Sequence, residues 1–465
     1  SEMCLRDRTY RDGMLDCWDV LSTSVGVPCS MFSSITDVLV IGGGPAGSTF
    51  GNLAAQRGWQ VVLLEKDEHP RFHIGESLLP MNLPIFEKLG VLDKVRGIGV
   101  PKLGADFTVA NSDSEYQTFH FGEALGRSPD HAFEVRRSEF DQLLFECCRE
   151  SGVEAYQNTK VTTVERLTNG NHRVTAKGSD GQELGWETRF LVDASGRDTF
   201  MSGTRGWKRR NAKHASAAVF AHFRDVERRP GADQGNISIY WFKHGWIWLI
   251  PLRDEIMSIG AVCYPEYIKT RSGSLDTFLM ETLSGVAEIR ARMSAAEPVT
   301  QAQATGNYSY ISSRMFGPGY LVIGDAYAFI DPVFSSGVYL AMSSAASGVN
   351  VADAWLQGSS LRYRAACRRH KRLMERGIAA FSWFIYRFTT PAMRFLMSNP
   401  RNSFRVVEGV ISMLAGDVFS NPAVRRRLLI FKAIYSVAWL VNWREGITAW
   451  RRRRMAIQQS LQGSE

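Results

Sequence analysis

Apolar and polar positions fall into three regimes along the chain. Residues 35–66 open with a continuous apolar run, TDVLVIGGG, that stops at three glycines. A short apolar run bounded by turn residues reads as a fully buried strand. STFGNLAAQRG then carries helical spacing and closes on Gly58, and WQVVLLEK supplies a second buried strand. From there to about Ser312 short β-like runs alternate with turns: HRVTAKGSDGQEL, AVFAHFRDV, NISIYWF, GWIWLIPL and MSIGAVCY predict a mostly antiparallel sheet. After Gly319 another buried strand, YLVIGDA, leads through a loop into a helix starting near Val338. Everything beyond Asp353 is helical in pattern.

This order predicts an α/β protein with a Rossmann-type domain interleaved with a mostly antiparallel β substrate domain, plus a helical C-terminal region. The Rossmann-type part is placed at 35–200, with substrate-domain strands inserted around 102–130. The β-rich substrate domain follows at 201–312, a return to the first domain at 313–353, and the helical region at 354–465. Residues 1–34 fit no element of this scheme and read as a poorly ordered extension, with Met31 a candidate start. They lack an apolar secretory core.

One stretch of the middle region raises a question of its own. In HGWIWLIPLR, Trp246, Trp248 and Ile250 share one face of a strand, because side chains alternate with period two. Two indoles on one face are either sheet core or a wall beside a flat cofactor.

The charge is uneven. From Val351 onward 20 Lys and Arg face 6 Asp and Glu, a net +14 in a chain whose formal total is +8, which leaves −6 on residues 1–350. A basic helical tail suggests an acidic partner. A carrier protein ranks first, a lipid surface touched by the amphipathic RRRLLIFKAIYSVAWL below it, and no nucleic-acid partner is expected. The longest apolar stretch, Leu428–Trp443, spans 16 residues and contains Lys432, too short and too polar to cross a bilayer. Seven cysteines without metal-ligand spacing fit a reduced, cytoplasmic protein that binds no metal.

The first chemical motif is Gly42-Gly43-Gly44-Pro45-Ala46-Gly47, a GxGxxG directly after a strand. Gly42, Gly44, Ala46 and Gly47 let the backbone and the following helix N-terminus approach a pyrophosphate. Glu65 ends the second strand where a carboxylate receives the adenosine ribose hydroxyls. LVDASGRDT brings Asp193 and Gly196 to a strand end, and LVIGDAYAFIDP does the same for Gly324 and Asp325. These two segments resemble the second and third flavin motifs of the p-hydroxybenzoate hydroxylase class, in which an aspartate holds the ribityl chain. Arg137, in R-x-x-F-D, belongs to the same pattern. The implied cofactor is FAD, and the Rossmann-type part is its binding domain.

Three further segments resemble the flavin-dependent halogenases. They are Trp246-Ile247-Trp248-Leu249-Ile250-Pro251, Gly75-Glu76-Ser77-Leu78-Leu79-Pro80, and Asp331-Pro332-Val333-Phe334-Ser335-Ser336-Gly337. The resemblance runs from about Ile35 to at least Asp353. It implies that reduced FAD, dioxygen and chloride or bromide generate hypohalous acid, which a lysine relays to the substrate. Glu76 and Ser77 would sit at the flavin. The amides of Ser336 and Gly337, at a helix start, would hold halide. Trp246, Trp248 and Pro251 would separate flavin from substrate, and Lys102 would be the lysine. Lys88 and Lys94 lie too early, in a helical stretch. Where tryptophan halogenases carry a glutamate before Ser-x-Gly, this chain has Phe334, which resembles the branch acting on phenols and pyrroles. The implied substrate is an electron-rich aromatic, free or tethered to a carrier protein. With no second dinucleotide fingerprint, a separate flavin reductase is the implied transient partner. The competing readings are an FAD monooxygenase or reductase that uses NAD(P)H directly, and a catalytically inactive flavoprotein adaptor.

Overall fold

The computed structural model describes residues 35–111, 116–126, 128–211, 216–306 and 309–441. The expected extension over 1–34 and residues 442–465 of the basic tail lie outside them. The chain opens with β1 (Thr36–Ile41), α1 (Pro45–Ala55) and β2 (Val61–Leu64). Pro45 at the first helical position suits α1, since the missing N–H would have no partner in the helix. Two short strands follow, β3 (Val100–Lys102) and β4 (Gly104–Val109), then β5 (Ala132–Glu134) and α2 (Arg137–Glu150). One face of α2 buries Arg137, Phe140, Asp141, Leu144 and Cys148, the i, i+3, i+4 spacing of an amphipathic helix.

β6 (Glu183–Asp193) returns to the first sheet. Next come β7 (Ala217–Arg224), β8 (Ile237–Phe242), β9 (Gly245–Pro251) and β10 (Ile256–Cys263). β11 (Tyr320–Val322) precedes α3 (Ser336–Leu356), and the tail includes α4 (Ser360–Ile385) and α5 (Pro422–Val441). The helix after the third flavin-type motif thus begins at Ser336, two residues ahead of the expected Val338. Among the described residues no helix is long and apolar enough to cross a membrane.

In the first sheet β11, β6, β1 and β2 run parallel and in register. Ile41 is level with Leu64 and with Asp193, and Asp193 with Val322. Four strands therefore end at one edge, where ligands of open parallel sheets bind. HRVTAKGSDGQEL, expected among the antiparallel runs of the middle region, is a hairpin whose first strand, His172–Lys177, pairs antiparallel with β6 and so extends this first sheet.

The second sheet orders β7, β10, β9, β8 and β4, antiparallel except for the parallel β8–β4 pair. Its two faces enter different cores. Trp241, Trp246, Trp248, Ile250, Phe220 and Val262 join the core facing the first sheet. Tyr240, Ile247, Leu249, Ile259 and Ala261 join Phe278 and Leu283 of a helix on the far side. α4 packs along α3, and Phe388 beyond its end packs on Trp241 of the second sheet with ring centroids 4.9 Å apart.

Candidate active site

A cavity of about 820 Å³ opens at the shared carboxyl edge of the first sheet. Gly42, Gly44 and Ala46 line it. Gly47 does not; its role is packing, because a Cβ there would lie 1.9 Å from the Gly42 carbonyl oxygen. α1 consequently starts close against the turn, with Pro45 and Ala46 of its first turn lining the cavity. Glu65, at the end of β2, accepts from the Gly43 N–H at 2.6 Å and the Asp67 N–H at 3.0 Å. Arg71 lies 3.7 Å from Glu65 and 3.7 Å from Asp141, both of them buried.

Arg137 lines the cavity and is fully engaged. It grips Asp141 with two nitrogens at 2.8 and 2.9 Å and donates to the Ile74 carbonyl at 2.9 Å. It therefore holds the Gly75-Glu76-Ser77 segment in place. His73, enclosed in the same wall, is pushed down to about 4 by burial and then by the Arg137 charge, so it is neutral at neutral pH.

The two expected aspartates behave differently. Asp193 does not reach the cavity. Its buried carboxylate accepts from the Ser195 N–H and hydroxyl at 3.0 and 2.6 Å and from the Met201 N–H at 2.8 Å. It shapes the loop that presents Gly196 and Arg197. Asp325 does line the cavity, and burial raises its carboxyl to about 6 against the pull of Arg137 and Arg197. Gly324 stands behind it, donating its N–H to Ser344 at 2.9 Å.

Ser335 (φ +54°) turns the chain into α3, and Ser335 and Gly337 face the cavity. Ser336 is completely buried behind them, its hydroxyl without a partner. Phe334 points away, into Phe384 and Phe388.

Trp246, Trp248 and Ile250 form the opposing wall, with the two indoles 5.8 Å apart. Pro251 corrects the expectation that it shares this wall. Strand alternation turns it to the far face with Ile247 and Leu249, and the cavity lining excludes it. On the opposite side of Trp246 a small void is lined by Asp331, Ile385 and Phe388, so this indole stands between two spaces. Residues 381–388, FSWFIYRF, supply Ile385 and Phe388 on that side, and the Phe388 carbonyl accepts from Trp241 Nε1 at 3.1 Å.

Lys102 closes β3, where a strand start was expected, and is 1% exposed. It sits behind the cavity wall. Its Nζ donates to Ser77 Oγ at 2.7 Å and to the Leu78 carbonyl at 3.2 Å, with Glu134 at 3.7 Å. Burial lowers the amine's pKa and raises Glu134 to about 7. Glu76 accepts from or donates to His222 Nε2 at 2.8 Å. Glu134, Arg71 and His222 are additions to the expected set. A glutamate between Phe133 and Val135 in an apolar run was the available signal, since a buried carboxylate requires a partner.

A family model of the FAD binding domain matches residues 35–360. A 1H-pyrrole-2-carbonyl-peptidyl-carrier-protein chlorinase of Pseudomonas fluorescens is 30% identical over 413 residues, covering 83% of this chain and 90% of its own. The solved structure of a flavin-dependent brominase superposes with a TM-score of 0.76 at 26% identity, over 87% of this chain and 99% of its own. The chain belongs to the flavin-dependent halogenases. A flavoprotein/dehydrogenase of Cytophaga hutchinsonii shares the fold with a TM-score of 0.81 at 28% identity, over 88% of this chain and 100% of that one.

The halogenase uses FAD in its reduced form, dioxygen, and chloride or bromide. The residues present fit that cofactor. The cavity lies within the size range of cofactor sites of about 300–1,000 Å³. The close Gly42–Gly47 approach clears room for a diphosphate and Glu65 stands ready for a ribose; the same cavity is lined by the two indoles, tilted 47° to each other, and by Ser335 and Gly337.

Proposed function

We propose that this halogenase transfers halogen to an electron-rich aromatic of phenol or pyrrole type through Lys102, using reduced flavin from a separate reductase. Bound FAD, once reduced, supplies the reaction with dioxygen that oxidises halide. Gly42, Gly44, Ala46 and the start of α1 would hold its diphosphate, Glu65 its ribose, and Asp325 with Gly196 the chain between ribose and ring. The Gly337 amide, at a helix start where N–H groups lack partners within the helix, would hold the halide; Ser336, expected beside it, is buried behind the cavity lining. Trp246 and Trp248 exclude water and substrate from that side, which protects a diffusible oxidant.

The observation that carries the lysine reading is the setting of Lys102. It is a fully buried amine, held by the hydroxyl of Ser77, and Ser77 itself lines the cavity. The carrier-tethered form of the substrate is supported by the pyrrole-carrier chlorinase relative and by the basic tail, where Arg425 and Arg426 on α5 are exposed.

The test uses photoreduced FAD, dioxygen and bromide, with phenol and pyrrole-2-carboxamide as probes and brominated product read by its isotope doublet. Product is expected without NAD(P)H. Lys102→Met is expected to abolish product while bromide-dependent oxidant is still captured by an external thiol. Turnover that needs NAD(P)H, or a Lys102→Met protein that still brominates, overturns the reading.

A further inference from the structure

At the cavity wall Ser77 links two side chains buried behind it. Lys102 Nζ, Ser77 Oγ and Glu134 Oε1 are linked at 2.7 and 3.2 Å, while Lys102 and Glu134 stand 3.7 Å apart without a direct hydrogen bond. Lys102 is 1% and Glu134 0% exposed. The second oxygen of Glu134 is buried with no partner. β3 and β5 are paired with each other, and Ser77 bridges to Glu134, so the three residues are fixed by backbone pairing.

The same heavy atoms satisfy two proton arrangements. In one, an ammonium donates to Ser77 and Ser77 donates to a carboxylate. In the other, a carboxylic acid donates to Ser77, and Ser77 donates to the lone pair of a neutral amine; the amine still donates to the Leu78 carbonyl. Two buried ions meeting at 3.7 Å recover little of their lost hydration, and an ionised Glu134 would leave an oxygen uncompensated. The other charges nearby do not reverse this. Glu76, paired with His222, opposes ionisation of Glu134, and Asp106, which favours a charged Lys102, is occupied by Arg229 at 3.2 Å.

We propose that Glu134 is the positioning residue of Lys102 and its proton store: across Ser77 the pair rests as a neutral amine and a carboxylic acid. This rests on the reading of Lys102 as the relay. The steps balance. The amine and hypohalous acid give a haloamine and water. As the N–halogen bond breaks toward the ring carbon, the Glu134 proton passes through Ser77 to nitrogen, restoring the amine. The ring carbon then loses its proton, and Glu134 regains one.

Glu134→Gln keeps the shape and can no longer store the proton. Carboxyl-labelled glutamate and ε-labelled lysine, assigned by the signals missing in Glu134→Gln and Lys102→Met, give the titrations by NMR without any turnover. Glu134 is expected to stay protonated to near pH 7, and Lys102 to be neutral there. In bromination of phenol with photoreduced FAD, wild type should lose rate as pH rises through Glu134's titration. Glu134→Gln should be at least tenfold slower below pH 7 and lack that limb. A Glu134 carboxyl ionised by pH 5.5 with Lys102 charged at pH 7, or an unchanged limb in the variant, overturns the proposal. Bromination by Lys102→Met would instead overturn the relay reading, leaving the NMR titrations to decide the proton's place.

Discussion

Gly260→Ala tests whether the tryptophan wall is positioned by the strand behind it. Gly260 on β10 lies opposite Trp248 on β9. A Cβ there would stand 2.3 Å from Trp248 Cζ2, 2.4 Å from Cη2 and 2.6 Å from Phe220 Cβ. Carbon atoms in contact prefer about 3.5–4.0 Å, so the indole must retreat by about 1.2 Å or more. Trp246 blocks one side, and the open side is the cofactor cavity that Trp248 lines. Overpacking costs about 1–3 kcal/mol. Breaking the hydrogen bond from Trp248 Nε1 to Ser258 Oγ, 3.3 Å in this structure, adds about 1 kcal/mol. Gly260→Ala is therefore expected to lose about 2–4 kcal/mol in urea unfolding of the apoprotein, and to weaken FAD binding measured by flavin fluorescence. Trp248→Leu alone costs about 3 kcal/mol through the void it leaves. The double variant should cost less than the two single ones together by more than about 1 kcal/mol, because most of the clash is gone; the Phe220 contact remains. A Gly260→Ala cost below about 0.5 kcal/mol, or strict additivity, would refute the reasoning.

Other consequences can be measured independently. Gly47→Ala forces a Cβ into the Gly42 carbonyl, so FAD affinity should fall at least about tenfold, or 1.4 kcal/mol, by titration calorimetry. Phe388→Ala removes a ring packed on Trp241, Trp246 and Phe334; a stability loss of about 3–5 kcal/mol is expected in thermal unfolding. His172 is buried and its pKa lowered to about 4 by burial and then by Arg166 and Arg205. The unfolded chain binds that proton first, so stability present above pH 6.5 is lost as pH falls through 4, by about 3 kcal/mol. His172→Leu should flatten the acid limb of unfolding curves by that amount.

Much of the cavity lining was legible because its geometry is local. A strand, three glycines and a helix define the glycine turn within twelve residues, and strand ends carry Glu65 and Asp325 to one edge whatever the loops between them do. The same alternation that placed Trp246, Trp248 and Ile250 on one face also excludes Pro251 from it, so that misplacement was avoidable. Asp193 was not separable from Asp325 by sequence. Both stand at the carboxyl ends of strands, and the Ser195 and Met201 groups that claim Asp193 are recruited by the loop's own turn.

What the sequence determined by itself, then, was the order of buried strands, the glycine turn and the shared face of the tryptophans, all set by backbone periods over a few residues. Tertiary structure alone decided what stands behind the wall. Lys102 and Glu134 meet because β3 and β5 pair across 29 intervening residues, 103–131, and Ser77 joins them from a third segment. No local period encodes that encounter. The proton states it imposes come from burial, which is a property of the assembled fold.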